Sequence, residues 1–327
     1  VDVVVEAVFE GVEVKQQVFR EIQDVVLPDA VLGSNTSSLP ITLLSEGVNR
    51  PADFIGIHFF SPVDKMPLVE IIAGAKTNDK TIAHALDYVQ AIKKTPIVVN
   101  DSRGFFTSRV IGQFINEGLG MLAEGVNPVS IDRAATQSGF PTGPIQISDE
   151  LNLELMKKIR VASQEAVESE GGTWPGHPSD HVVDTMIELG RTSRLVGKGF
   201  FDYDEAGKRT GLWPGLAEKF PVAAEQPDFQ DLKDRLVFSM SLDTVRCLEE
   251  NVLRTVADAN IGSIFGIGFP PLLGGALQYI NGYEAPDGRI GIEAFTERAQ
   301  ELAAKYGERF EPPALLLDKA KNGEKFA

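Results

Sequence analysis

Two short apolar segments joined by a turn-rich run constrain this chain more than any other stretch of its sequence. Residues 55–60 (IGIHFF) and 68–72 (LVEII) have the composition of β-strands, and each contains one ionisable residue. If the last residue of the first strand faces the first residue of the second, antiparallel pairing places His58 directly opposite Glu70. Opposed side chains of this kind lie about 4.5–5.5 Å apart at Cβ.

The pair of His58 and Glu70 has two interpretations. A carboxylate opposite an imidazole can hold the ring in one tautomer and favour its protonated form, as a general base requires. A structural histidine beside a strand-end glutamate would give the same spacing. The spacing alone leaves both interpretations open.

The segment before this hairpin predicts the first part of a parallel α/β sheet. Residues 1–8 form a β-branched run that is typical of a strand buried on both faces. Apolar residues then recur at every fourth position from Val14 to Val26, which predicts a helix, and residues 30–34 resume an extended run. A strand, a helix and a strand in this order form a right-handed parallel crossover.

A cluster of small polar side chains, SNTSS at residues 34–38, follows the second predicted strand. Ligands in open α/β sheets bind at the carboxyl ends of the strands, so the cluster predicts a ligand-binding loop. The alternative is helix capping, with Ser38 preceding a short helix predicted over residues 41–44.

The rest of the chain is predicted to be mainly helical and to contain an internal repeat. We place an α/β segment at 1–100, a first helical domain at 101–190, an ordered linker rich in Gly, Pro and charge at 191–229, and a second helical domain at 230–320. Two kinds of match support the repeat. Arg109, Leu122 and Asp132 lie 126 residues before Arg235, Leu248 and Asp258, and the Gly-Phe-Pro corner at 139–141 returns at 268–270.

Composition excludes several classes of function. A formal net charge of −16 argues against a nucleic-acid or anionic-membrane surface. A single cysteine, Cys247, excludes an internal disulfide and suits a reducing compartment, so we expect a cytoplasmic protein. There is no apolar run of about 18 residues that would predict a membrane span. His177 and His181 are four apart, but Pro178 between them argues against a metal site, and we predict none.

Several motifs are spread along the chain, namely Val5-Glu6-Ala7 and residues 34–39, 56–62, 68–72, 101–109 and 197–203. Together they resemble one family, the 3-hydroxyacyl-CoA dehydrogenases. With two helical repeats, the chain is most similar to the dehydrogenase part of the multifunctional proteins of fatty-acid β-oxidation. The resemblance implies a partial doubly wound, Rossmann-like sheet followed by duplicated helical C-terminal domains.

The resemblance also implies an activity and a set of site residues. The expected reaction is oxidation of (3S)-3-hydroxyacyl-CoA to 3-oxoacyl-CoA, with hydride transfer to NAD. The family pattern assigns the general base to His58 and its orientation to Glu70, which favours the catalytic interpretation of the pair. It places Ser37 and Ser108 at the substrate and Ala7, Glu10, Lys15 and Ser61 at the cofactor.

Some of these assignments have alternatives or departures. Glu10 and Lys15 would also fit as solvated residues in the first turns of a helix. Ser61 and Ser108 stand where the family usually has Asn, and a hydroxyl lacks the longer reach of an amide. We therefore expect weaker or differently placed contacts at these two positions, with the reaction retained.

One expected motif is absent from the sequence. A nicotinamide-binding domain should open with a Gly-x-Gly-x-x-Gly turn, and the only similar run, residues 266–271, lies in the helical repeat. We therefore expect this chain to hold the second half of the cofactor domain of a longer protein and to be inactive alone. In the multifunctional relatives an enoyl-CoA hydratase domain precedes this part, and a thiolase subunit is an expected partner. The alternative is a non-catalytic fragment that acts only in subunit assembly or acyl-CoA docking.

Overall fold

The computed structural model describes residues 1–169 and 171–327 of the chain. These residues divide into two units, and the predicted segment 230–320 contributes to both, so the division of the chain into four segments stays a prediction. Unit 1 contains Val1–Val110, Ser241–Glu301 and Glu311–Ala327, and unit 2 contains Ile111–Met240 and Leu302–Phe310.

A five-stranded sheet forms the centre of unit 1. The first three strands are parallel, the fourth runs antiparallel to the third, and the fifth is parallel to the fourth. The predicted crossover and hairpin are both confirmed, and the register pairs His58 with Glu70. In spatial order the strands are β1 (Val3–Glu6), β2 (Val31–Ser34), β3 (Phe54–Phe59), β4 (Leu68–Ala73) and β5 (Thr95–Asn100).

Three helices connect these strands: α1 (Val12–Ile22), α2 (Ile41–Leu44) and α3 (Asp79–Ala91). Alternate apolar residues of β3 and β4 point to one face of the sheet, where Ala85 and Val89 of α3 cover them. On α1, Phe19 is fully buried and packs edge-to-face on Phe54, with 4.8 Å between the ring centroids. The core therefore fixes the sheet that carries His58 and Glu70.

The helix α2 begins differently from the capping alternative. The carboxylate of Asp101 accepts the N–H groups of Ile41 and Thr42, at 2.8 and 2.7 Å, and so satisfies the helix start. The Ser38 hydroxyl instead donates to Glu10 at 3.0 Å. The proposed Ser38 cap is therefore wrong, because a carboxylate about sixty residues along the chain reaches these N–H groups.

The remaining elements are almost all helical, and the predicted linker at 191–229 contains a two-stranded hairpin, β6 and β7. The buried Asp149 anchors this hairpin by accepting from the N–H groups of Phe200 and Phe201. The helices of the described chain are too short or too polar to cross a bilayer. The elements are α4 (Thr107–Ala123), α5 (Pro128–Ser138), α6 (Pro144–Leu151), α7 (Leu153–Ser169), α8 (Ser179–Glu188), β6 (Phe201–Tyr203), β7 (Arg209–Leu212), α9 (Leu216–Lys219), α10 (Phe229–Glu249), α11 (Val256–Ile267), α12 (Ala276–Gly282), α13 (Ile292–Tyr306) and α14 (Ala314–Asn322), with single 3-10 turns at Ser45–Gly47, Pro51–Asp53, Arg194–Val196, Pro271–Leu273 and Glu308–Phe310.

Two helix corners have the same construction in the two units, which supports the predicted repeat. The helix α5 in unit 2 ends at Gly139 (φ 101°), and α11 in unit 1 ends at Gly268 (φ 70°). Both glycines adopt the left-handed conformation that terminates helices. In unit 1, α11 packs against β4 and β5, so the second copy of the helical motif covers one part of the sheet.

The repeat also corrects one match that was made on spacing. In unit 2, Asp132 of α5 accepts the N–H of Ile145 at the start of α6, at 2.9 Å. In unit 1, Asn260 of α11 accepts the N–H of Leu277 at the start of α12, at 3.0 Å. The counterpart of Asp132 is therefore Asn260 and not Asp258. Part of the insertion that separates the two copies of the repeat lies before α11, and not all of it lies after Asp258.

Candidate active site

His58 and Glu70 form a buried pair across the β3–β4 hairpin. Nδ1 of His58 lies 3.0 Å from Oε2 of Glu70, whose side chain is fully buried. A carboxylate can only accept, so Nδ1 carries the hydrogen and Nε2 keeps its lone pair. The His58 side chain is 8% exposed, which places the ring just below the surface of unit 1.

The Glu70 carboxylate is held by the first residues of α4. The backbone N–H groups of Phe106 and Thr107 donate to Oε1 at 3.0 and 3.2 Å, and the Thr107 hydroxyl donates to Oε2 at 2.5 Å. Backbone donors at a helix N-terminus stabilise a negative charge. These partners were not predicted from the sequence, although a buried carboxylate in β4 requires donors and a threonine at a helix start could have indicated one.

The His58 ring lies among aromatic side chains. The centroid of Phe60 lies 4.5 Å from the imidazole centroid, and that of the fully buried Phe105 lies 6.2 Å away. An apolar surround of this kind keeps water from the flanks of the ring. It also strengthens the electrostatic contact between the imidazole and the Glu70 carboxylate.

The loop after β2 reaches the same edge of the sheet. Oδ1 of Asn35 accepts the N–H of Phe59 at 2.8 Å, which ties the end of β2 to the residue beside His58. Within residues 1–169 and 171–327, the hydroxyls of Ser37, Ser61 and Ser108 make no hydrogen bond. These three serines are thus free to contact a ligand.

Glu10 connects the loop after β1 to the loop after β2. Its Oε1 accepts from the Thr36 hydroxyl at 2.6 Å, from the N–H groups of Ser37 and Ser38 at 3.2 Å, and from the Ser38 hydroxyl. Burial would raise the pKa of Glu10, but the Thr36 hydrogen bond and the charge of Lys15 outweigh it, so the pKa is lowered. Glu10 is therefore ionised at neutral pH and is not a freely solvated residue.

Lys15 is also not a solvated residue, because it is only 1% exposed. Its ammonium donates to both oxygens of the Glu6 carboxylate and to the carbonyl of Val8, all at 3.2 Å, and lies 3.4 Å from Glu10. These groups occupy all the donors of the ammonium. Its predicted contact with the cofactor stays a prediction, and its partner Glu6 was missed.

The remaining predicted residues lie on or beside three elements of unit 1. Ala7 and Ser61 are exposed just after the carboxyl ends of β1 and β3, and Ser108 is half-buried beside Thr107 in the first turn of α4. The sheet edge therefore holds His58, the loop of Ser37, and the exposed Ala7 and Ser61.

The two histidines with metal-like spacing do not converge on a site. In unit 2, Nδ1 of His177 accepts the N–H of Ser179, and the ring of His181 faces Phe220. Across the described ranges 1–169 and 171–327, the structure has no cluster of three or more His, Cys, Asp or Glu residues able to hold a metal ion.

Comparison with known protein families identifies the family to which this chain belongs. Residues 1–102 match the family model of the 3-hydroxyacyl-CoA dehydrogenase NAD binding domain, and residues 104–203 match that of the C-terminal domain. The chain belongs to the 3-hydroxyacyl-CoA dehydrogenase family. The members of this oxidoreductase family use NAD, and the matched first domain is the one that binds it.

Solved structures of 3-hydroxyacyl-CoA dehydrogenases share the fold. (S)-3-hydroxybutyryl-CoA dehydrogenase from Ralstonia eutropha is 31% identical, with a TM-score of 0.56, over 62% of this chain and 71% of that one. The 3-hydroxybutyryl-CoA dehydrogenase of Escherichia coli K12 is 22% identical, with a TM-score of 0.75, over 98% of this chain and 81% of that one. The dehydrogenase part of multifunctional enzyme 1 from C. elegans is 24% identical, with a TM-score of 0.65, over 97% and 71%.

Proposed function

We propose that His58 is the general base of a 3-hydroxyacyl-CoA dehydrogenase and that Glu70 orients it. The observation that carries this proposal is the 3.0 Å contact between Nδ1 of His58 and the buried carboxylate, because it leaves Nε2 as the proton acceptor of the ring. In the reaction the substrate's 3-hydroxyl gives its proton to Nε2, the C3–H bond breaks with loss of a hydride, and the C3–O bond becomes a carbonyl.

Two serines are proposed to position the substrate. Ser37 has an unpartnered hydroxyl among the described residues, on a loop that Glu10 and Thr36 hold by several hydrogen bonds. A hydroxyl fixed in this way can donate to the substrate oxygen while His58 removes the proton. Ser108 lies one residue beyond Thr107 and is proposed to contact the substrate from the start of α4.

The residues at the ends of β1 and β3 fit NAD. Ala7 offers exposed backbone, and the Glu10 side chain, 27% exposed and ionised, suits the hydroxyls of a ribose. Ser61 is proposed to contact the cofactor from the third strand, and Lys15 holds Glu6 and Glu10 in place beneath it. NAD, when bound, supplies the acceptor for the hydride.

We further propose that the reaction belongs to fatty-acid β-oxidation, acts on the (3S) isomer and takes place in the cytoplasm. The support is the similarity of fold to a dehydrogenase part of a multifunctional enzyme, together with the matched helix corners of the two units. A hydratase domain in the same protein and a thiolase subunit are the partners that this setting would require.

The test is NADH formation from (S)-3-hydroxybutyryl-CoA by the full-length protein. Replacement of the base, His58→Gln, should lower kcat about 10²- to 10⁴-fold with little change in KM, and Glu70→Gln should cause a smaller loss. The matched control is His84→Gln, because His84 is exposed on α3. Unchanged turnover in H58Q would contradict the proposal.

A second candidate function is acyl-CoA docking without chemistry. Its distinguishing result would be tight binding of 3-hydroxybutyryl-CoA by the wild-type protein, measured by calorimetry, with no NADH formed at any NAD concentration. The same binding by H58Q and wild type would then exclude a role of the histidine in recognition.

A further inference from the structure

One oxygen of Glu70 has two partners. Oε2 lies 3.0 Å from Nδ1 of His58 and accepts the hydroxyl of Thr107 at 2.5 Å. We propose that Thr107 is a positioning residue, which fixes the rotation of the Glu70 carboxylate and limits how strongly that carboxylate attracts the protonated His58 ring. This inference rests on the proposed function of His58 and adds a residue to it.

The geometry fixes the carboxylate completely. Its Oε1 is occupied by the N–H groups of Phe106 and Thr107, and its Oε2 by the Thr107 hydroxyl and the His58 ring, so rotation about the last side-chain bond would break four hydrogen bonds. Glu70 and Thr107 are both fully buried, so no water can replace the hydroxyl without a rearrangement. The ring of His58 therefore meets the carboxylate in one orientation.

Packing also holds the threonine side chain. A Cβ added to Gly266 of α11 would lie 3.4 Å from Cγ2 of Thr107, so the threonine methyl faces this helix and leaves little space between them. With the methyl group against α11, the hydroxyl points to Glu70. The second helical copy thus supports the orientation of the donor.

The hydroxyl and the imidazole compete for the same charge. The hydroxyl donates whether His58 is neutral or protonated, and so it neutralises part of the Oε2 charge in both states. Without it, more of that charge would act on the ring, and the protonated ring would be favoured. The hydroxyl therefore keeps the ring able to release its proton after the reaction.

The other ionisable groups around Glu70 are few in unit 1. One of them is the buried Cys247 thiol of α10; burial raises its pKa well above the ordinary value, so the thiol is neutral. Arg109 of α4 is paired with Asp243, and burial raises the pKa of Asp258 of α11. The ionisable residues of α3, which also packs on β4, are exposed: Asp79, Lys80, His84 and Asp87.

The experiment compares Thr107→Val with Thr107→Ser in the full-length protein. Valine keeps the shape and removes the hydroxyl, whereas serine retains it. Thr81→Val is the matched control, because Thr81 is 2% exposed on α3 and its hydroxyl donates to the carbonyl of Ala52 at 3.0 Å. Two readouts are recorded: the pH dependence of kcat/KM, and the ¹⁵N signals of the His58 ring, which H58Q assigns among the four histidines.

In T107V, we expect kcat/KM at neutral pH to fall about fivefold to thirtyfold and the acid limb of the pH profile to move to higher pH by about half a unit. T107S and T81V should keep the wild-type profile. If T107V does not fold, Thr107→Ala serves as the variant without a hydroxyl, and T107S must still match the wild type.

The ring signals separate this inference from the proposed function. A shift of the His58 titration in T107V, with no NADH formed by any variant, would support the positioning role and contradict the activity. Loss of turnover in H58Q together with wild-type ring signals and an unmoved profile in T107V would overturn the positioning role. A displaced profile in T107S as well would also overturn it, because the hydroxyl would then not be the cause.

Discussion

The two arginine clusters of the helical repeat occupy matched sequence positions but differ in burial and in partners. In unit 1, the guanidinium of Arg109 bonds two carboxylates and is 20% exposed. In unit 2, the guanidinium of Arg235 bonds two carboxylates and is fully buried. The matched positions, each 126 residues apart, are Arg109 and Arg235, Glu117 and Asp243, and Glu124 and Glu250.

The buried cluster has additional partners. Arg309 donates to Glu117 at 2.6 Å, the His177 ring lies 3.7 Å from the same carboxylate, and Arg235 lies 4.2 Å from the centre of the Tyr306 ring. Burial would raise the pKa of Glu117, but His177 and the charges of Arg235 and Arg309 hold it at about 2. A repeated motif therefore conserves the pairing, whereas the surroundings of each copy decide its energetics.

The largest difference should come from neutralising the matched acids, Glu117→Gln and Asp243→Asn. Removing one partner of a fully buried pair leaves uncompensated charge, so E117Q should lower the free energy of unfolding by about 3–5 kcal/mol. D243N should cost about 1–2 kcal/mol, because Arg109 is partly exposed and keeps Glu250. Urea unfolding at neutral pH measures both, and equal losses would show that burial does not separate the clusters.

Glu117 should also make the stability of unit 2 depend on pH in the acid range. Because the folded-state pKa of Glu117 lies below its ordinary value of 4.5, its stabilising contribution is complete above that pH and is lost as the pH falls towards 2. The melting temperature of E117Q should therefore vary less with pH over this window than that of the wild type. Melting temperatures of E117Q and of the wild type that change equally with pH would contradict this assignment.

A second comparison concerns the helices α5 and α11, which have Ala134 and Gly262 at equivalent positions. A Cβ on Gly262 would lie 2.7 Å from Cδ1 of Ile97 and 2.9 Å from the ring of Phe106. We expect Gly262→Ala to cost about 1–3 kcal/mol in urea unfolding and to reduce turnover, since the Phe106 backbone holds Glu70. The control Gly112→Ala, which enters open space on α4, should be neutral or stabilising by up to about 1 kcal/mol.

The reciprocal change Ala134→Gly should cost about 1–2 kcal/mol, through helix propensity and the loss of a buried methyl group. If G262A unfolds with the same free energy as the wild type, the expected clash between α11 and Phe106 at the start of α4 does not occur. Loss of turnover in A134G would mean that activity follows general stability and not this contact.

The smallest effect is expected for the helix-start acceptors Asp132 and Asn260. Burial raises the pKa of Asp132 to about 6, although the hydrogen bond from the N–H of Ile145 partly opposes this by favouring the carboxylate. The protonated form therefore stabilises the fold below about pH 4, and this contribution is lost as the pH rises through 6. Asp132→Asn should remove this dependence and add about 1–2 kcal/mol at pH 7, and Asn260→Asp should introduce a similar one. Melting temperatures across this range provide the test.

The sequence was sufficient to predict the structure where contacts are local. The pairing of His58 with Glu70 follows from a hairpin whose two strands are close in the chain, and α1 and α3 follow from apolar periodicity. The acceptors Asp101 and Glu70 could not be assigned in this way, because each serves a helix start far along the chain. Spacing alone also failed to match Asn260 to Asp132.

In the β3–β4 hairpin, the register of the two strands decides whether His58 and Glu70 face each other, and this register can take only discrete values. Side chains of paired strands alternate between faces, so the alignment of β3 and β4 can change only in whole steps. A one-residue slip would turn His58 and Glu70 to opposite faces, and a two-residue slip would set Leu68 or Ile72 against the imidazole. The backbone positions that place His58 opposite Glu70 thus tolerate gradual distortion of the sheet, whereas a shift in strand register would separate the two residues.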